Sequence, residues 1–429
     1  MGAFLGMVGT GQFTADERPK NWRQKILELF PNGDAPLTAI MSKLKSEATD
    51  DPEFKWFEKD LASQAGTITA VYTDANMQTA YTTGAVAGGT YYLQVPLLLA
   101  QECRAGHQLL LRDEDTVARD INAKVLDTLE NGTSSMITVK LLEAERTADD
   151  LAVVDRALII GNINPEGGDM PPGVSYGQET RYNYTQIFRT PLSITRTAQK
   201  TKLRTGPKYL NMKKEALQLH SIEMEKSLIW SIRTEGIGAN NKPERTSGGL
   251  MYFIRNYDGV VDDYRSSSDV TAGTSWLNGG EDWLNEQLRK IFRYGSRERL
   301  AFVGDKTVLA IQKLIKNSPG ISYALSASTE SYGLAVTKWV TPFGTIQMMT
   351  HPLFSYEPTN QKSMLLLDVS KMIYRHIDDT SFFKDGENQN TGHLRRDSTD
   401  EEWLTEAGYE FHHAKCFGFL DGFGDARAS

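Results

Sequence analysis

A chain of 429 residues with 40% apolar and 24% charged residues has the composition of a globular protein, with apolar material enough for two or three domains. A formal net charge of −8 argues against a general nucleic-acid binder, and two cysteines, Cys103 and Cys416, are too few for a disulfide framework or a zinc ribbon. Residues 1–11 lack a charged start and are too short and glycine-rich for a signal peptide or a span, which points to an intracellular protein. Gly6 breaks the N-myristoylation pattern, and no other window has the length of a membrane helix.

In chain order, residues 1–62 read as an arm. Two short amphipathic helices are drawn at 21–30, with Trp22, Ile26 and Phe30 on one side, and at 35–46, with Ile40, Met41 and Leu44. A Pro31-Asn-Gly-Asp34 breaker separates them, and Asp34 is a natural N-cap. Neither helix buries enough surface to stand alone, so each needs the main body or a neighbouring copy. The stretch 54–61, with Trp56 and Phe57 among charges, anchors the arm. Strands begin at 67–72 and continue at 106–111, 122–129 and 136–142, with Asn131-Gly132 as a turn. The span 100–156 reads either as a small β-rich insertion or as part of one larger sheet. Residues 161–177, rich in Gly and Pro, form a connection. A Tyr/Thr/Ile-rich strand follows at 181–197, kept from a sheet centre by Pro191.

The longest element is a helix expected over 207–235, between a Gly206-Pro207 start and a Gly236 stop. One stripe carries Leu210, Leu217, Met224, Leu228 and Ile232, widened by Met212, Leu219, Ile222, Ile229 and Trp230, while Lys213, Lys214, Glu215, Glu223 and Lys226 stay wet. Helices at 281–294 and 306–316 and strands at 300–303, 336–340, 345–349 and 364–367 then make a mixed α+β unit. A terminal strand at 406–422 is expected to return beside the long helix. Charge is uneven: 181–233 holds eleven Lys/Arg against three acids, and 378–429 twelve acids against five bases. Such blocks are solvated faces or surfaces that dock between identical copies.

The search for catalysis is mostly empty. No P-loop, dinucleotide fingerprint, nucleophile elbow or His-Glu-x-x-His occurs. Asp305 in Gly304-Asp-Lys-Thr307 reads as a helix cap. His412 and His413 are poor joint metal ligands because adjacent strand residues face opposite ways. The basic residues interleaved with Tyr182, Tyr184, Phe188 and Tyr209 fit an interface or solvated sheet better than a single-strand-binding surface. No catalytic, cofactor or metal residue is assigned, and the chain is not expected to be an enzyme.

The order of arm, β excursion, long helix, α+β unit and terminal strand resembles the major capsid proteins of tailed bacteriophages with the Hong Kong 97 fold. Its most specific pieces are Lys55-Trp56 with Asp60, the motif at 183–188, the segment 223–231, and Tyr332-Gly-Leu followed by Thr341-Pro-Phe-Gly344. The resemblance implies an α+β capsid fold with an N-terminal arm (1–62), the outgoing part of an extended loop (63–99), the insertion (100–156) and the loop's return (157–205). A peripheral domain (206–254) with the spine helix, an axial domain (255–375) and a terminal peripheral strand (376–429) complete it. Hexamers and pentamers would tile an icosahedral shell around double-stranded DNA in a virion assembled in the host cytoplasm, with a portal and scaffold or cement proteins as further partners and no membrane. Contacts between copies are expected at Trp22, Ile26, Phe30, Trp56, Tyr182, Tyr184, Arg189 and Arg196. The alternatives are an encapsulin-like compartment shell and, from another class, a nucleic-acid-binding or hydrolytic enzyme.

Overall fold

The computed structural model describes residues 45–59, 64–114, 120–146, 150–201, 208–317, 329–331, 334–384 and 398–428. The chain divides into two compact units, Phe57–Thr180 and the combination of Met1–Trp56 with Arg181–Ser429.

The first of these is built on a seven-stranded sheet whose spatial order is Ala65–Thr67, Arg156–Asn162, His107–Arg112, Ile121–Leu129, Ser135–Leu141, Thr90–Val95, Ala70–Tyr72. Alternation in the sequence sets the buried face: Tyr91, Leu93 and Val95 on one strand, Ile121, Ala123 and Val125 on a second, Ile137, Val139 and Leu141 on a third. The short helix Leu97–Glu102 adds Leu99 and Ala100 to that core. Strands from both sides of residue 100 share the sheet, so the division between 63–99 and 100–156 does not hold as a structural boundary; the larger-sheet reading describes this unit. The strand expected at 67–72 is also broken in two. Ala65–Thr67 pairs with Arg156–Asn162 and Ala70–Tyr72 with Thr90–Val95, at opposite ends of the sheet order.

In the other unit the α+β part is a mixed seven-stranded sheet in the order Val260–Asp263, Gly418–Asp421, Met364–Leu367, Glu298–Val303, Thr345–Thr350, Leu334–Val340, Thr329–Ser331. Met364–Leu367 lies between two partners and is apolar throughout, as a strand covered on both faces should be. The helix Trp276–Phe292 buries Trp283, Leu284, Leu288 and Ile291 in a cluster completed by Tyr264, Trp276 and Phe423. The helix Asp305–Asn317 starts one residue before the expected 306, so Asp305 is its first residue and not its cap, with Oδ1 accepting from the Lys306 N–H at 2.7 Å. The terminal segment departs from expectation. Its strand runs earlier, Ser398–Phe411, and ends before His413, whose φ of 53° breaks the extended run. The chain then returns to the α+β sheet through Gly418–Asp421.

A four-stranded sheet, ordered Ser46–Ala48, Met372–Phe383, Ser398–Phe411, Gln186–Thr195, lies alongside the long helix. Pro191 stands on its edge strand, where the missing N–H breaks no ladder. Ser46–Ala48 pairs in parallel with Tyr374–His376, and Phe54 and Trp56 of the strand Glu53–Glu58 lie inside this unit's core, so residues 46–56 are joined to the body. The long helix itself is Lys208–Trp230, about 35 Å at 1.5 Å per residue. It stops five residues before the expected end. Gly249 passes over its last turn, its N–H donating to the Ser231 carbonyl at 2.8 Å. A Cβ at Gly249 would sit 2.7 Å from the carbonyl oxygens of Ser227 and Leu228, so a side chain there would block this cap. Burial is concentrated in the second half, at Ile222, Met224, Leu228 and Ile229, whereas Leu210, Leu219 and Ile232 of the expected apolar face are exposed.

Glu225 and His351 join the helix to the α+β sheet. Both side chains are fully buried, and His351 Nε2 donates to Glu225 Oε1 at 2.5 Å. His351 Nδ1 accepts the Leu353 N–H at 3.1 Å as the N-cap of the helix Pro352–Tyr356, which leaves the ring hydrogen on Nε2. Among the described residues no helix is long and apolar enough to cross a membrane.

Candidate assembly surfaces

The motif at 183–188 earns its side chains through hydrogen bonds. Asn183 is fully buried and ties three segments together. Its Nδ2 donates to the Tyr409 carbonyl at 2.7 Å and to the Gly248 carbonyl at 3.1 Å, while Oδ1 accepts from the Gly248 N–H at 2.7 Å. Gln186 Oε1 accepts from Ser227 Oγ at 3.0 Å and from the Ser247 N–H at 3.2 Å, linking the edge strand to the long helix. A primary amide both donates and accepts, which an apolar or purely acidic side chain cannot match. Phe188 packs edge-on against His220, whose two ring nitrogens meet the hydroxyls of Thr190 and Thr405 at 3.0 and 2.8 Å. Burial lowers the imidazole's pKa, favouring a neutral ring between two hydroxyls. Thr341-Pro-Phe-Gly344 is likewise a tight turn. The Thr341 N–H and hydroxyl both donate to the Gly344 carbonyl, at 2.9 and 2.7 Å, and a Cβ at Gly344 would lie 2.4 Å from the Arg297 oxygen.

Beyond this clamp the chain carries a hairpin, Thr234–Ile237 against Pro243–Thr246, in place of the expected last turn of helix. A two-stranded ribbon is marginal in water on its own. Here the first strand is exposed along its whole length, and Ile232 and Ile237 are 60% and 79% exposed. Its base is held by stacked cations and rings: the Arg233 guanidinium lies 3.6 Å from the Tyr182 ring centre and Arg181 lies 4.2 Å from that of Tyr257. Tyr182 and Tyr184 meet edge-on at 5.7 Å, and the Tyr184 hydroxyl reaches Glu235 at 3.4 Å. The hairpin and its cation stack were not read from the sequence. Its signal in the sequence is the alternation Thr234, Gly236 against Glu235, Ile237 followed by Asn240-Asn241.

Of the residues expected at contacts between copies, Trp22, Ile26 and Phe30 lie outside the described residues. Trp56 is 7% exposed and packs among Phe54, Phe253 and His412, which gives it to the chain's own core. Tyr182 and Tyr184 are half-buried at the base of the hairpin. Arg189 is exposed and forms a bidentate pair with Glu402, at 2.8 and 2.6 Å. Arg196 is exposed at the start of the helix Arg196–Lys200, which Thr195 caps. The structure brings Tyr182 and Tyr184 together and leaves Arg189 and Arg196 on a separate edge.

Among the described residues the opposed charge blocks touch inside the chain at one ion pair, Arg189 with Glu402. Gln186–Thr195 and Ser398–Phe411 are antiparallel neighbours, so Arg189 finds Glu402, Ser193 finds Asp400, and Tyr209 donates to Glu401 at 2.6 Å. That carboxylate, helped by burial, pushes the Tyr209 hydroxyl up to about 12. Among the described residues no three His, Cys, Asp or Glu side chains converge as metal ligands.

An edge strand, an exposed ribbon and a long half-covered helix on an α+β body are features of a structural subunit. Residues 7–424 match the family model described as SU10 major capsid protein. The chain belongs to this family of phage major capsid proteins. It is 23% identical to the major capsid protein of Pseudomonas phage PaMx41 over 409 residues, covering 93% of this chain and 88% of that one. Similar solved structures include the capsid of Myoviridae phage XM1, at 9% identity, covering 96% of this chain and 100% of that one with a TM-score of 0.44. The SrpI encapsulin of Synechococcus elongatus is 12% identical, covering 58% of this chain and 77% of that one with a TM-score of 0.38.

Proposed function

We propose that copies of this chain assemble as hexamers and pentamers of the icosahedral shell of a tailed phage, enclosing double-stranded DNA. The observation that carries the reading is family membership across residues 7–424, nearly the whole chain. In this reading Phe57–Thr180, with its single seven-stranded sheet, serves as the extended loop, the long helix and four-stranded sheet as the peripheral part, and the mixed sheet as the axial part. The role is architectural and not catalytic. A portal, scaffold or cement protein would be a further partner, and assembly would take place in the host cytoplasm. A groove of about 270 Å³ lined by Arg289, Lys290, Arg293 and Lys415, with Asp258 among them, offers a net excess of cations for nonspecific contact with phosphate. Its strength is moderated by Glu286 and Asp269, which already bind Arg289 and Lys290.

The test is the content of particles purified after nuclease treatment of infected cells. Protected double-stranded DNA inside shells of this chain is the expected result. A specific protein cargo with no DNA would replace this reading with that of a compartment shell.

A further inference from the structure

The unit Phe57–Thr180 contains a cavity of about 430 Å³ that the shell reading leaves without a role. This volume is within the usual range for small-ligand sites, roughly 300–1,000 Å³. It forms where the strand Arg156–Asn162 loses its regular register. Gln108 pairs with Gly161 and Leu109 with Ile159, so Ile160 is bulged out and is 50% exposed at the cavity wall. Bulges commonly re-aim a side chain at a site.

The polar groups are held in place before any ligand arrives. Arg104 donates through Nε to His107 Nε2 at 3.0 Å and through Nη1 to the Pro172 carbonyl at 2.6 Å. Glu102 Oε2 accepts the Gln64 N–H at 3.1 Å, and Asn162 Oδ1 accepts from Asn164 Nδ2 at 3.0 Å, which leaves the Asn162 amide hydrogens to donate. Tyr176 supplies a half-exposed ring. Burial pushes its hydroxyl up, with help from Glu102 and Cys103, so the phenol stays a donor. Burial and the adjacent Arg104 both lower the His107 pKa, as expected for a ring that accepts a hydrogen bond from a guanidinium. Fixed side chains reduce the ordering cost of binding.

Charge selects the ligand class. An anion would face the Glu102 carboxylate and a cation the Arg104 guanidinium, so the lining favours an uncharged molecule with hydroxyls that both donate and accept. Ile160 and the Tyr176 face supply an apolar wall for the C–H face of a ring. We propose that this cavity is a binding site for a neutral saccharide, with Arg104, Glu102 and Asn162 meeting its hydroxyls and Tyr176 its ring face.

The experiment uses the full-length chain and titrates maltotriose, cellotriose and chitotriose by calorimetry and saturation-transfer NMR. Glucose 6-phosphate and a blocked trialanine serve as anionic and peptide comparisons. Arg104→Ala and Tyr176→Ala are the variants, and Tyr176→Phe, which keeps the ring, guards against a folding defect. The expected result is one site per chain for at least one neutral sugar, weakened about tenfold or more by Arg104→Ala and Tyr176→Ala and less by Tyr176→Phe. The proposal is overturned if no neutral sugar binds at up to about 10 mM. It is equally overturned if the variants leave binding unchanged, or if the phosphate or the peptide is the preferred ligand.

Discussion

Removing His351 from its buried pair with Glu225 tests how the long helix is fastened to the body. Both side chains have no solvent exposure, and they are 126 positions apart in sequence. In His351→Leu the Glu225 carboxylate loses the Nε2–H donor inside the core, a change that costs about 3–5 kcal/mol when one partner of a buried pair is deleted. Loss of the Nδ1 cap on the Leu353 N–H adds about 1 kcal/mol. The double variant Glu225→Leu/His351→Leu replaces both polar groups by apolar ones of similar size, so most of the loss should be regained. The predicted coupling is about 2–3 kcal/mol. Guanidinium unfolding followed by tryptophan fluorescence is the assay, because all seven tryptophans lie in Met1–Trp56 and Arg181–Ser429, so the signal reports that unit alone. Trp230 stacks 5.7 Å from Phe354, which lies 5.4 Å from the His351 ring, so one fluorophore senses the site closely. A single variant within about 0.5 kcal/mol of the parent, or a double variant whose loss is the sum of the two singles, would refute the reasoning.

Three further outcomes follow from the same structure. Asp368→Asn should lose about 3–5 kcal/mol at neutral pH, because Arg299 Nη1 lies 2.6 Å from Asp368 Oδ2 with both side chains buried. Burial raises the Asp368 pKa, but hydrogen bonds from Ser370 and Ser296 and the Arg299 charge outweigh it and hold the carboxyl below its ordinary value. Its contribution is thus present above the unfolded pKa of about 3.9 and lost as pH falls towards the folded one, so the gap between parent and variant midpoints should narrow on acidification; a gap independent of pH would count against this. Gly408→Ala should cost about 1–3 kcal/mol, since a Cβ would lie 2.6 Å from the Tyr184 oxygen and 2.9 Å from the Phe54 ring, and an unchanged denaturation midpoint would disprove the close approach. Ile237→Asp, at a side chain 79% exposed, should leave stability within about 0.5 kcal/mol yet impair assembly, and normal particles would remove the hairpin from the contacts between copies.

How far the sequence could be read depended on whether a pattern was local. Trp283, Leu284, Leu288 and Ile291 recur at helical spacing and are buried in the helix Trp276–Phe292, which starts five residues before the expected 281, and Met364–Leu367 is a strand with the expected bounds. Pro191 correctly marked an edge. The long helix was legible in existence but not in its end, because what stops it is Gly249 arriving from 18 residues beyond Ser231. Its apolar stripe suggested burial along the whole length, whereas the first half leaves Leu210 and Leu219 exposed. The assignment of 1–62 to an arm failed for Ser46–Ala48, whose three residues carry no apolar pattern and are fixed by parallel pairing with Tyr374–His376. Similarly, Arg189 with Glu402 lies 213 positions apart, so charge counting located two blocks without revealing that they share one sheet. The motif at 183–188 was recognised as a pattern; its physical content, the Asn183 clamp, required knowing that Gly248 and Tyr409 converge on it.

The central claim is that this chain builds a shell from copies of itself, and sedimentation combined with negative-stain imaging of the protein expressed alone tests it most directly. Closed particles or capsomer rings of five and six subunits are the predicted outcome. A stable folded monomer that still fails to assemble when a scaffold protein is co-expressed would contradict it.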